Sequence, residues 1–257
     1  MIFISDIHHG LSGLEELPKD KGPLVILGDL INWIDYRNGE GIAKDVFGED
    51  NINMLIAYRK NHDYKKRKQL WQKIFEKDPE QKQRLIEEAI ASQYNDVFNA
   101  LQDHEVWIIP GNVDSVPIME DLAGSNIRFV DSEVINYKDI NFGFAGGGVP
   151  TPINARGELS EEDFNKKLKK LKGVDVICTH APPLINELAT DVITNQIEQG
   201  WSSLVDYIRL NQPRFSIFGD VHQPKATRWK IYDTYCINIG YNRATKDYLD
   251  FEELIYA

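Results

Sequence analysis

The chain has 257 residues, 42% hydrophobic and 27% charged, with 40 acidic against 29 basic residues and a formal charge of −11. That balance suits one large globular domain with or without an insertion, and it argues against a general polyanion binder, so no stable nucleic-acid binding is expected. No apolar stretch approaches the roughly 20 residues of a membrane helix, and no basic leader precedes the first apolar run, so a cytoplasmic protein without membrane partners is expected.

Met1 to Ile4 is β-branched and aromatic and reads as a buried strand. Ser5-Asp6-Ile7-His8-His9-Gly10 follows. Side chains two apart in a strand face the same way, so Asp6 and His8 would project together from its end. Leu24 to Leu27 is a second apolar run and stops at Gly28-Asp29-Leu30-Ile31-Asn32. The pattern repeats: buried strand, small residue, acid. Parallel strands of an α/β sheet carry ligand-binding groups at their C-terminal ends, which is where Asp29 falls.

Residues from about 40 to 103 are dense in charge and lack glycine after Gly48. Ile52, Leu55, Ile56, Leu70, Trp71, Ile74 and Phe75 fall at helical spacing. Asp78-Pro79 then predicts a second helix, with Asp as cap and Pro in the first turn, running about 23 residues or about 35 Å. The pair reads as a helical hairpin inserted into the domain. Its basic run, Arg59-Lys60 and Lys65-Lys66-Arg67-Lys68, reads as a solvated face or as a wall drawing anions toward a site. The hairpin also offers a surface for a homo-oligomer.

Glu105 to Ile109 is a third strand, ending in Pro110-Gly111-Asn112-Val113-Asp114-Ser115, with an amphipathic stretch over Val116 to Leu122. Asn126 to Tyr137 alternates as short β segments. Asn141 to Ala145 runs into Gly146-Gly147-Gly148, either a tight corner or a loop approaching a ligand. Ser160-Glu161-Glu162-Asp163 opens a helix as a near capping box, and Gly173 stops it. Val174 to Cys178 is a fourth strand, ending Thr179-His180. Trp201 to Leu210 is helical. Phe215 to Phe218 is a fifth strand, ending Gly219-Asp220-Val221-His222. Ala226 to Ile231 and Thr234 to Ile239 form a hairpin, and Phe251 to Tyr256 reads as a closing strand. Cys178 and Cys236 lie in apolar runs and read as buried, reduced thiols.

Five apolar strands therefore end in metal-ligand chemistry. Oxygen and imidazole donors without thiolate suit Mn, Fe or Zn rather than a cysteine-built structural zinc site. Asp6-x-His8, Gly28-Asp29, Gly111-Asn112, His180 and Gly219-Asp220-x-His222, in that order, resemble the calcineurin-like metallophosphoesterase superfamily, whose pattern runs D-x-H, G-D, G-N-H-D/E, H, G-H-x-H. The resemblance covers nearly the whole chain outside the helical insertion. It implies an α/β fold, a four-layer α/β-β/α sandwich of two mixed β-sheets, as one domain over residues 1–257 with the insertion at about 40–103. It also implies two divalent metal ions, manganese first, with iron or zinc as the other choices. Carried over, Asp6, His8 and His222 hold the first metal, Asp29 bridges, and Asn112, His180 and Asp220 hold the second. The implied activity is hydrolysis of a small-molecule phosphate ester by a metal-bridging hydroxide.

Two positions depart from the family pattern. Val113 stands where the family has a histidine that protonates the leaving oxygen, help worth roughly 10²- to 10⁴-fold. Phosphodiesters should therefore be favoured over alkyl monoesters. Asp114, without its usual partner, reads as a helix cap. Asp220 stands where the family has histidine, as a direct ligand favouring a hard metal such as Mn²⁺ or as a hydrogen-bonding support to a ligand. Asp29, Asn112 and His9 are the expected catalytic residues, His9 as a substitute for the missing acid. Arg156 and Asn32 are candidates for contacting phosphate or nucleophile. The alternative is a catalytically weak scaffold for protein interaction, as in the retromer subunit of that superfamily.

Overall fold

The computed structural model describes residues 1–76, 78–151, 155–193, 196–197 and 200–256. Its strands are β1 (Ile2–Ile4), β2 (Leu24–Ile26), β3 (Val106–Ile108), β4 (Ile127–Phe129), β5 (Val134–Tyr137), β6 (Ile140–Ala145), β7 (Val176–Thr179), β8 (Thr190–Asp191), β9 (Gln196–Ile197), β10 (Phe215–Phe218), β11 (Arg228–Ile231), β12 (Thr234–Asn238) and β13 (Leu249–Asp250). Its helices are α1 (Leu11–Glu15), α2 (Ile42–Phe47), α3 (Glu49–Lys60), α4 (Tyr64–Glu76), α5 (Pro79–Ala100), α6 (Val116–Leu122), α7 (Glu161–Leu168), α8 (Asn186–Ala189), α9 (Ser202–Asn211), α10 (Asn242–Thr245) and α11 (Phe251–Tyr256).

Two mixed sheets carry the fold. One has the order β13-β1-β2-β3-β4, antiparallel only at β13, and the other the order β11-β12-β10-β7-β6-β5, antiparallel at its two outer pairs. Strand alternation splits each apolar run between two layers. Phe3, Val25, Leu27 and Trp107 face Phe142, Phe144, Cys178 and Ile217 across the gap between the sheets. Ile2, Ile4, Leu24, Ile26 and Ile108 face the other way, onto the helices from α1 to α6. Ile177, Phe218 and Cys236 pack under α7 and α9. Helices, sheet, sheet, helices make four layers, and each buried aliphatic or Phe side chain adds about 1.5–3 kcal/mol of transfer free energy. Both cysteines are free and buried, as expected. Among the described residues no helix is long and apolar enough to cross a membrane.

The insertion is helical, but its first arm is divided. α3 ends at Asn61, His62 takes a left-handed conformation (φ 54°), and the Asp63 carboxylate accepts the Lys66 N–H at 3.1 Å to start α4. Asn61-His62-Asp63 thus stops one helix and caps the next, where apolar spacing alone ran through. α5 spans 22 residues, close to the expected length. Asp78 does not cap it: the residue before Pro79 is steered from the right-handed helical region, sits at φ 50° and makes no capping hydrogen bond. Lys60, Lys65 and Lys68 are exposed, whereas Arg67 is buried beside Tyr64 and Arg59 lies over the Tyr36 ring, so the basic run is a solvated face only in part.

Residues 251–256 form helix α11 instead of a closing strand. Phe251, Leu254 and Ile255 have helical spacing and pack into the inter-sheet core. Asp250, the last residue of β13, accepts the N–H of Glu252 at 2.9 Å and starts the helix.

Candidate metal centre

β1, β2 and β3 are parallel neighbours in one sheet, and β7 and β10 are parallel neighbours in the other. All five point their C-terminal ends at one edge of the sandwich. The loops beyond them carry Asp6 and His8, Asp29, Asn112, His180, and Asp220 and His222. Convergence does not come from strand alternation, because β1 has ended before Asp6. Asp6 (φ 58°), His8 (41°), Asp29 (56°) and Asp220 (65°) all turn into the left-handed region, which costs energy and clusters at functional sites. Backbone bonds hold the turned loops together: Asp6 N–H to Gly28 O at 3.1 Å, His8 N–H to Asp29 O at 2.9 Å, Gly219 N–H to His180 O at 2.9 Å.

The inward atoms fall into two groups. Asp6, His8 and His222 offer ligand atoms within 4.8 Å of one another, and so do Asp6, Asp29 and His180. His8 Nε2 lies 3.2 Å from His222 Nε2 and 3.7 Å from Asp6 Oδ1, and His222 Nε2 lies 3.3 Å from the same Oδ1. Asp29 spans the groups, with Oδ2 3.6 Å from His8 Nε2 and Oδ1 3.5 Å from His180 Nε2. Asn112 Oδ1 and Asp220 Oδ1 complete the second group, 3.2 and 3.7 Å from His180 Nε2.

Electrostatics test whether cations fit there. His8 Nδ1 faces the Ile31 carbonyl (3.2 Å) and His180 Nδ1 the Leu27 carbonyl (2.7 Å). A carbonyl can only accept, so Nδ1 carries the proton and the Nε2 lone pair of the neutral ring points inward. Asp6 is fully buried, and its Oδ1 has no hydrogen-bond partner among the described residues. Asn112 Oδ1 sits 2.8 and 3.1 Å from the two Asp29 oxygens. Turned over, its NH₂ would donate to both; with oxygen inward, it joins a ring of acceptors that needs a cation at the middle.

Without metal, the cluster gathers protons instead. Burial, reinforced by Asp114 and Asp6 against the pull of His180 and His8, pushes the Asp29 carboxyl up to about 6. Burial disfavours the His180 imidazolium, yet Asp29, Asp220 and Asp6 outweigh it and raise that ring to about 9. Burial also raises Asp220. Burial raises the Asp6 carboxyl, yet the His222 and His8 rings beside it outweigh burial and hold it well below the usual carboxylate range. Three carboxylates with no Lys or Arg among the described residues of the cluster match two divalent cations to within one charge.

The other predicted residues fall in different places. The Val113 side chain packs against the helix-side core, and its N–H donates to Asp29 Oδ1 at 3.1 Å. Asp114 is not a helix cap. Fully buried, it accepts the N–H groups of Asp29 (2.8 Å), Leu30 (3.1 Å) and Gly111 (2.8 Å) and the Tyr94 hydroxyl (3.1 Å), tying two ligand loops to each other. His9 turns toward α5, its Nε2 2.9 Å from Asp96 Oδ2. Asn32 donates its backbone N–H to Gln93 Oε1 of α5 at 2.7 Å. Arg156 is exposed and lies 3.9 Å from Glu87, also on α5. The glycine run proves to be a close approach to a ligand loop: a Cβ on Gly148 would stand 2.2 Å from the Asn112 Cβ.

Sequence reasoning missed Tyr241, whose ring stacks on His222 with centroids 4.0 Å apart. The signal was present, since Ile237-Asn238-Ile239-Gly240-Tyr241 repeats the pattern of apolar strand, glycine, polar residue.

No family model matches the chain. An uncharacterised protein of Methanocaldococcus jannaschii, MJ1162, is 32% identical over 141 residues, covering 52% of this chain and 63% of that protein, so the chain matches less than two thirds of its relative's length. One solved crystal structure aligns over 93% of this chain and 89% of its own with a TM-score of 0.56 at 15% identity. The crystal structure of TT1561 of Thermus thermophilus aligns over 96% of both chains with a TM-score of 0.52 at 12% identity. At those identities the likeness speaks for the fold alone, an α/β sandwich of two mixed sheets.

Proposed function

We propose that the protein is a dinuclear, metal-dependent phosphoesterase. The observation that carries this reading is the inward ring of acceptors, with the Asp6 Oδ1 buried and unpartnered at its centre. Asp6, His8 and His222 would hold one ion, and His180, Asn112 and Asp220 the other, with Asp29 between them. Two divalent cations there would polarise a phosphoryl oxygen, lower the pKa of a water and take up charge as the ester breaks. The chain's own part is to hold Asp29 in register, through Val113 N–H and the Asp114 clamp, and to keep lysine and arginine out of the ring. Val113 can donate no side-chain proton. Diesters and aryl esters, whose leaving groups depend least on protonation, are therefore the better substrates. His9, oriented by Asp96, is the residue assigned to protonate poorer leaving groups.

The scaffold reading predicts decay of the ligand set; all seven positions instead carry ligand-type side chains gathered at one edge, which favours the enzyme. The test is metal analysis followed by kinetics. Purified protein should hold about two transition-metal ions per chain and hydrolyse bis(p-nitrophenyl) phosphate with Mn²⁺, faster than it hydrolyses glycerol phosphate. Asp29→Asn should abolish the activity. Turnover that survives in that variant would remove Asp29 from the bridging position.

A further inference from the structure

Beside the first metal group lies a second charged cluster that the hydrolytic reading does not use. The Tyr241 ring lies flat on His222, planes at 7°, and meets the His8 ring edge-on at 5.8 Å. Arg37 lies over the same tyrosine, Cζ 4.8 Å from the ring centroid, and donates to its hydroxyl. Asp35 grips Arg37 with both oxygens, Nε at 3.0 Å and Nη2 at 3.1 Å. Arg243 approaches the same carboxylate at 3.7 Å. The metal loops place Arg243: its backbone N–H donates to Asp6 O at 3.3 Å, and its stem lies against Gly10, where a Cβ would come within 2.9 Å.

The charges in this cluster do not cancel. Two guanidiniums share one carboxylate, and among the described residues neither arginine pairs with another acid. The Asp35 carboxyl stays ionised, held below its usual range by Arg37 and Arg243 despite its burial. The fork and backbone N–H of Arg37 occupy both Asp35 oxygens, while the Arg243 guanidinium makes no hydrogen bond among the described residues. The arginine side chains remain 48% and 25% exposed. A tie between loops needs one arginine. A second, with its planar donors unspent at the rim of a site lined by carboxylates, matches an incoming oxyanion.

We propose that Arg37 and Arg243 form an anion subsite next to the metal centre, and that the substrate carries a second phosphate joined to the one that is cleaved, as in an ester of a nucleoside diphosphate. The proposal rests on the phosphoesterase reading for the cleaved phosphate. Contact with the His222–Tyr241 stack puts the second anion close beside the first, which a diphosphate provides and a remote carboxylate does not.

The test compares α,β-methylene ADP with AMP as competitive inhibitors of bis(p-nitrophenyl) phosphate hydrolysis under Mn²⁺. In the wild type the two-phosphate inhibitor should bind about tenfold tighter or more, the scale of a charged hydrogen bond. In Arg37→Gln and in Arg243→Gln that ratio should collapse toward one. Because both constants are measured on the same variant, a general loss of activity cancels. A wild-type ratio near one, or a large ratio that persists in both variants, overturns the subsite. If the wild type does not hydrolyse the reporter ester, the phosphoesterase reading fails by itself, and the same ratio measured by calorimetric binding still decides the subsite.

Discussion

Valine at position 113 contributes to the site through its backbone, while its side chain packs into the core. Its N–H still holds Asp29 Oδ1 at 3.1 Å, so the carboxylate between the two ligand groups stays in place. What it cannot do is give a proton. His9 is the residue proposed to supply it, and its Nε2 lies 2.9 Å from Asp96 Oδ2. His9→Ala should therefore slow an alkyl ester far more than an aryl ester of the same phosphate, by roughly 10²-fold against a few-fold. Equal losses on the two leaving groups would leave His9 a structural residue. The candidate ligands that the fold gathers, Asp6, His8, Asp29, His180 and His222, were legible in the chain because few side chains bind cations and each stood at the end of an apolar run. Asp114 was not legible, since its meaning lies in three backbone N–H groups that only the folded loops bring together.

Helix α5 is the element through which the insertion reaches the site. Gln93 accepts from the Asn32 backbone, Asp96 holds His9, Glu87 lies 3.9 Å from Arg156, and Tyr94 both donates to Asp114 and accepts the Ser115 N–H at 2.7 Å. Four loops from the two sheets are thus braced by one helix. Tyr94 is fully buried, and burial together with the Asp114 charge raises its pKa far above the usual phenol value, so the hydroxyl stays a proton donor to Asp114. Tyr94→Phe leaves the ring in the core and removes the two hydrogen bonds of its hydroxyl, to Asp114 and from the Ser115 N–H. Metal affinity, measured by competition with a chelator, should fall about 10- to 100-fold, as for other supports of metal ligands, while the melting temperature drops only a few degrees. Unchanged affinity with a lowered melting temperature would make Tyr94 a packing residue alone. Apolar spacing showed that α5 exists and how long it is. It did not show that the polar tip of one stripe residue reaches the site, nor that Asn61-His62-Asp63 divides the arm before it, because spacing records which face is buried and not what its polar atoms meet.

At the scale of the whole chain, the site concentrates negative charge in a protein that already carries −11. Protons and the proposed metal ions would therefore compete for the same pocket, and stability should report the competition. The His180 pKa rises from 6.5 to about 9 on folding without metal, so its bound proton contributes stability that is complete below pH 6.5 and lost as the pH climbs through 9. The Asp29 pKa rises from 3.8 to about 6, and its contribution is complete below 3.8 and gone above 6. From these two groups the metal-free protein becomes less stable between pH 6.5 and 9 through His180 alone. Metal acts with the opposite sign, since its ligands must be deprotonated and its affinity rises with pH. Thermal melts in chelator and in Mn²⁺ should diverge as the pH is raised. At a free metal concentration of 100 times Kd the gain is about 2.7 kcal/mol, or roughly 5–10 °C for a chain of this size. That gain should shrink toward zero near pH 5.5, where His180 keeps its proton. Melting curves that move by the same amount at every pH, or not at all, would show that the ions do not bind among these histidines and carboxylates.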